Sequence, residues 1–223
     1  FDAHPYGQPT VGWMSDLDSF TRADAEAFFK TYYPPSSMTT AIVGDVDPAT
    51  LIPMLEKYFG RIPARPHPAP LRTIEPPQQA EKRVTLTGDS EPFYLEVYHK
   101  PAATDPTQPT FDAIDDLFSN GRTSRLYRSL VRDQRIAISV DSFSGYPGQK
   151  YPHLWGVFVV PAPGITLDKI EAAVRREVEK LRTTDVSAEE LARAKRRARA
   201  DLLRTLNSNQ GLANQLSDHH LLY

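Results

Sequence analysis

Two apolar runs rich in β-branched and aromatic residues, 136–143 and 154–160, succeed one another with no helix-forming segment between them. Only the loop Gly145-Tyr-Pro-Gly148 and its short flanks separate them, too little and too turn-rich for a crossover helix. The two runs therefore predict neighbouring antiparallel strands. Residues 83–87 and 93–99 repeat the pattern across Gly88-Asp89-Ser90. Between the two pairs lie two helical patterns. One starts near Asp105-Pro106 and carries Phe111, Ile114, Leu117 and Phe118 on a face; the other comes after the Gly121 break, is capped by Thr123 or Ser124, and carries Leu126, Tyr127, Leu130 and Val131. Two more helices come after the strands. Thr166 opens the first, with Ile170, Val174, Val178 and Leu181 inward; the capping box Ser187-Ala-Glu-Glu190 opens a last long one with Leu191, Ala194, Ala198 and Leu202. This order predicts an α+β fold, a mainly antiparallel sheet with helices packed on one face, and excludes a doubly wound parallel sheet.

The first part of the chain reads differently. Residues 1–18 are turn-rich. Thr21 with Asp24 makes a capping box for a helix bearing Ala25, Phe28, Phe29 and Tyr32, ended by Pro34-Pro35. Residues 38–43 read as a buried strand closed by Gly44-Asp45. Asp47 with Pro48 then starts a helix carrying Leu51 and Leu55, which Pro53 should delay or kink and Gly60 should stop. Residues 61–78 hold six prolines and read as a stiff linker. The expected division is 1–60, linker 61–78, and 79–223.

A chain of 223 residues with 40% apolar residues can bury a sizeable core. Its net charge of −2 excludes a surface built throughout for nucleic acid. The absence of cysteine removes thiolate nucleophiles, disulfides and zinc–thiolate sites together. No apolar run reaches the roughly 20 residues that span a bilayer. The start at Phe1, within ordinary folded-looking sequence, reads as a processed product or a fragment.

Motifs that carry chemistry are sparse. The six histidines, His4, His67, His99, His153, His219 and His220, make neither H-E-x-x-H nor H-x-x-E-H. In Asp218-His219-His220 the adjacent side chains point about 100° apart on a helix, which suits a surface better than a metal. Ser142-Phe-Ser144-Gly145 lacks the frame of a nucleophile elbow, and Asp115-Asp116 reads as a solvated acidic pair rather than an acid–base couple. Arg193, Lys195, Arg196, Arg197 and Arg199 form a basic run, but Glu189, Glu190 and Asp201 flank it and apolar residues stripe the same helix. A solvated face or protein interface is the preferred reading, with nucleic-acid binding through 193–199 as an alternative.

Four segments carry a resemblance: Phe1-Asp-Ala-His-Pro-Tyr-Gly-Gln-Pro-Thr-Val-Gly12, the run from Thr21 through Tyr32-Tyr33-Pro34 to Ala41-Ile-Val-Gly-Asp45, Tyr58-Phe-Gly-Arg-Ile-Pro63, and Thr123-Ser-Arg-Leu-Tyr127 with the helix and strand after it. Together they resemble the pitrilysin/insulinase family of zinc peptidases, especially its mitochondrial-processing-peptidase-like branch. The resemblance implies two similar half-domains forming a clam-shell, with an inverted zinc motif H-x-x-E-H upstream of these residues. This chain is then similar to the family's inactive-domain region: the tail of one half-domain and most of the next. It implies no cofactor in this chain, with zinc upstream if the parent is catalytic. It also implies peptide or unfolded-protein substrates reached through the parent enzyme, a homologous subunit as partner in a homo- or heterodimer, no nucleic acid and no membrane span. Secretion or a periplasmic location fits many relatives.

Two departures stand out. Members that grip substrate through the second half-domain carry an arginine after the Ser-Arg-Leu helix and a tyrosine seven residues later; here those places hold Val131 and Ile138. Neither can donate a hydrogen bond. The glycine expected before the strand is Arg135. The function expected is a non-catalytic domain of a zinc-dependent metallopeptidase, contributing scaffold, substrate chamber or subunit interface. The alternative is a standalone peptide-binding module that recruits by strand addition. Residues 21–60 are further expected to complete the sheet of 79–223, within one chain or by exchange between two chains.

Overall fold

The computed structural model describes residues 1–223. The chain forms two compact units, Phe1–Gln79 with Leu203–Tyr223, and Ala80–Leu202.

The second unit holds the sheet. β1 (Tyr94–Lys100), β2 (Ala137–Tyr146) and β3 (His153–Pro161) lie in the order β1-β3-β2, antiparallel throughout. Helix α4 (Gln108–Ser119) leads through a left-handed Gly121 to a π-helical turn, Tyr127–Asp133. α5 (Leu167–Thr183) comes after β3, capped by Thr166, whose side chain accepts from Lys169 N–H. α6 (Ala188–Leu206) begins with the expected capping box: Glu190 N–H donates to Ser187 Oγ, and Ser187 N–H donates to Glu190 Oε2. The core lies between sheet and helices. Phe118, Leu126, Leu130, Val157, Val159, Ile170 and Val174 are fully buried there. Each such side chain contributes about 1.5–3 kcal/mol on burial, so this one layer accounts for the unit's cohesion. One sheet face is thus covered by helices, in an α+β arrangement.

The first unit contains α1 (Met14–Ser19), α2 (Arg22–Tyr32) and α3 (Pro48–Phe59), joined by α7 (Asn209–Leu222). The Thr21–Asp24 capping box forms in full, and the Asp47 side chain caps α3 with Pro48 at its first position. Proline at the first turn costs no hydrogen bond, because that N–H has no partner inside the helix. Pro53 sits within α3 without delaying its start.

Two expected strands are absent for one shared reason. Residues 38–43 form no strand, and Met38 and Ile42 are exposed; residues 83–87 form none either. A strand requires a ladder partner, and the sheet ends at three. Arg83 instead donates to Glu171 on α5 at 2.8 Å. The sheet takes no strand from 21–60 of the same chain. The Pro-rich segment bonds to residues before it: Glu75 accepts from the backbone N–H groups of Asp2, Ala3 and His4, and Ser36 Oγ donates to Arg65 O. The expected last helix is two, because Ser208 caps α7 by accepting from Gly211 N–H. Leu203–Tyr223 group with Phe1–Gln79 in one compact unit.

Candidate functional site

The face of the sheet turned away from the helices is apolar and open. Alternation along β1 puts Tyr94, Glu96, Tyr98 and Lys100 toward the helices and Phe93, Leu95 and Val97 outward. Register carries the outward set across β3. Leu95 faces Phe158, Val97 faces Gly156, and Gly156 faces Phe143 of β2. Phe93 and Phe158 rings lie 5.3 Å apart. Leu95 and Val97 remain 48% and 43% exposed, far above a packed core. Gly156 is buried beneath the Phe143 ring and the Val97 side chain. A Cβ there would come within 2.5 Å of Phe143 and 2.8 Å of Val97, closer than atoms pack. The strands supply the face because β3 is apolar on both sides.

β2 is an edge strand, and bulges at its two ends leave 139–144 regular. The only charged side chain that β2 presents on the open side is Asp141, whose register partner is Phe158. Residues 89–99, 136–149 and 153–165 contain no lysine or arginine.

Behind β2 the residues considered for chemistry are structural. Asp115 accepts from Trp155 Nε1 and from Ser142 Oγ, and Ser119 and Ser142 hydroxyls meet at 2.6 Å. Burial pushes the Asp115 carboxyl up, against the hydrogen bonds that pull it down. Asp116 turns to Asn120 and Arg197, so the adjacent carboxylates serve different partners. Lys100 is buried, donates to Ser144 Oγ at 2.9 Å, and has its pKa lowered by burial.

The histidines are scattered. His4 Nδ1 accepts from Tyr6 N–H, His67 meets Ser37 Oγ, and His153 is buried against Tyr151 O. His219 stacks on Tyr223. No three metal-ligating side chains converge anywhere, so the residues present do not fit a zinc ion.

The basic run is partly engaged. Arg197 donates to Asn120 O at 2.8 Å and to Thr123 Oγ1 at 2.9 Å, tying α6 to the turn after α4. Arg125 grips Glu190 with two bonds of 3.0 and 2.9 Å. Arg125 and Glu190 border a polar cavity of about 400 Å³. Its charges are internally balanced, with Glu177 held by Ser129 and Lys180.

Val131 lies in the π-helix, half-buried against the core, while Ile138 at the start of β2 is 61% exposed. The residues that sequence reasoning missed are those of the open face. Their signal was present: the unbroken apolar run of β3 implies two buried faces, and helices cover only one.

Comparison with known proteins agrees with this geometry. The family model described as the peptidase M16 inactive domain matches residues 19–198. Zinc protease PqqE of Helicobacter pylori is 25% identical over 224 residues, which is 97% of this chain and 49% of that protein. A probable mitochondrial-processing peptidase subunit beta of Arabidopsis thaliana is 24% identical over 234 residues, covering 100% of this chain and 43% of its own length. The crystal structure of a protease from Helicobacter pylori superposes with a TM-score of 0.81 at 22% identity, over 100% of this chain and 54% of that one. The chain spans about half the length of the curated relatives it matches.

Proposed function

The chain belongs to the peptidase M16 inactive-domain family, and from that premise we propose that it forms a non-catalytic wall of a zinc peptidase's substrate chamber. The observation that carries the reading is the open apolar sheet face, on which Leu95 and Val97 stay largely exposed. A monomeric surface rarely leaves so continuous a patch bare without a binding role. Zinc and the water it activates would be supplied by residues outside this chain. A homologous subunit is the proposed partner, consistent with a relative described as a subunit of a processing peptidase.

Val131 and Ile138 stand where grip-bearing members of the family hold arginine and tyrosine. Without hydrogen-bond donors there, the chain would hold substrate through apolar contact and backbone pairing rather than through a side-chain clamp. The test is direct. The purified chain, with zinc and a quenched fluorogenic peptide, should give no turnover. Cleavage that requires added zinc and stops on chelation overturns the reading.

A further inference from the structure

We propose that Lys100 and His153 form an acid-sensitive latch, which holds the loop between β2 and β3 closed at neutral pH and lets it open when the His153 ring takes a second proton. The latch goes beyond the chamber-wall reading and does not depend on it.

Register brings the two side chains together. Lys100 ends β1, His153 begins β3, and they are direct partners in the antiparallel ladder. Direct partners project to the same face of a sheet, with Cβ atoms about 4.5–5.5 Å apart. Here that face is the one turned toward the helices, and the two residues are only 2% and 1% exposed. A lysine and a histidine are therefore neighbours in a place that water screens poorly.

The loop is held at both members of the pair. His153 Nδ1 lies 3.0 Å from Tyr151 O within the loop. A carbonyl only accepts, so Nδ1 carries the proton of the neutral ring. The segment that leaves Lys100 holds the loop a second time, where Ala103 N–H donates to Gln149 O at 3.0 Å.

The surrounding groups fix the direction of the response. Lys100 Nζ donates to Ser144 Oγ of β2 and lies 4.8 Å from the centre of the Phe111 ring. From α4, Asp112 and Asp115 favour its ammonium form, so it stays a cation. On the imidazole, burial disfavours the charged form most; the Tyr151 carbonyl favours it, and the Lys100 charge opposes it. The balance holds the His153 pKa below its usual 6.5. A base depressed in the folded state stabilises that state fully above pH 6.5, and the contribution is lost as pH falls below that value. Protonation sets two buried like charges across one strand pair, which is unfavourable. The ring escapes by leaving with its loop.

The experiment follows the whole chain by hydrogen exchange and mass spectrometry, with rates corrected for the intrinsic effect of pH. Conditions run from about pH 7.5 to about 5, above the usual carboxylate range. Protection of 147–153 should fall across that range, by at most about tenfold per pH unit for one proton, while that of α5 stays constant. His153→Gln should remove the pH dependence. Lys100→Met keeps a buried stem without the charge, and should raise the midpoint of the His153 titration, read from its ring proton shifts. Constant protection in the parent, a fall that persists in His153→Gln, or a midpoint in Lys100→Met no higher than the parent's overturns the proposal. Where a variant does not fold, the parent decides alone. A His153 midpoint below 6.5 that coincides with the loss of loop protection upholds the latch, and one at or above 6.5 excludes it.

Discussion

Arg135 has φ = +52°, in the left-handed region where a Cβ crowds the following carbonyl. An L-residue there costs roughly 1–2 kcal/mol, and glycine recovers part of that while adding freedom to the unfolded chain. Arg135→Gly should therefore raise stability by about 0.5–1 kcal/mol, read as a higher urea midpoint at constant m. At Gly156 the sign reverses. The colliding atoms are the end of the Phe143 ring and a Val97 methyl, which can yield toward the open side. Gly156→Ala should cost about 1–2 kcal/mol and displace Phe143, visible in its ring proton shifts. A glycine was expected at this place before the strand, and the positive φ of Arg135 is the conformation glycine favours. The close packing of Phe143 and Val97 over Gly156 was not legible, because it depends on register across three strands and no local pattern encodes register.

At the level of elements, one side chain secures the start of α6. Glu190 closes the capping box with Ser187 and receives both bonds from Arg125. The Arg125 hydrogen bonds, aided by Ser187, lower its pKa from 4.5 to about 2. A depressed carboxylate stabilises the fold above its ordinary pKa, and that contribution is lost as pH falls from about 4.5 toward 2. Glu190→Gln should cost about 1–2 kcal/mol near neutral pH, and its stability should fall less steeply than the parent's over that acid range. Capping of this kind was legible: Thr21–Asp24, Asp47–Pro48, Thr166 and Ser187–Glu190 all form as their sequence spacing predicts. Strands at 38–43 and 83–87 were misread because propensity is local and pairing is not. The π-helical turn was read as an ordinary helix, since its extra residue per turn leaves the apolar spacing of Leu126 and Leu130 looking helical.

Taken whole, the molecule concentrates its buried apolar core in residues 103–194. The first unit has capped helices but no buried apolar core; Phe28, Phe29, Tyr32 and Tyr33 of α2 and its end are about half exposed. Helices owe most of their stability in proteins to a packed face. Native-state hydrogen exchange should therefore show strong protection in β2, β3 and α5 and weak protection in α2 and α3, and limited proteolysis should leave a resistant core near Ala80–Leu202. Uniform protection across both units would contradict this. Exchange of 21–60 between two chains remains a proposal for covering α2, and dilution of such a dimer would expose it again.

The chain's two tryptophans fall one to each unit. Trp13 is 57% exposed in the first, and Trp155 is 6% exposed in the second, edge-on to Phe118 and bonded to Asp115. Their emission colours differ accordingly, red for the wet indole and blue for the dry one. Intrinsic fluorescence thus carries two channels without any label, and a Trp13→Phe variant isolates the one that watches the core.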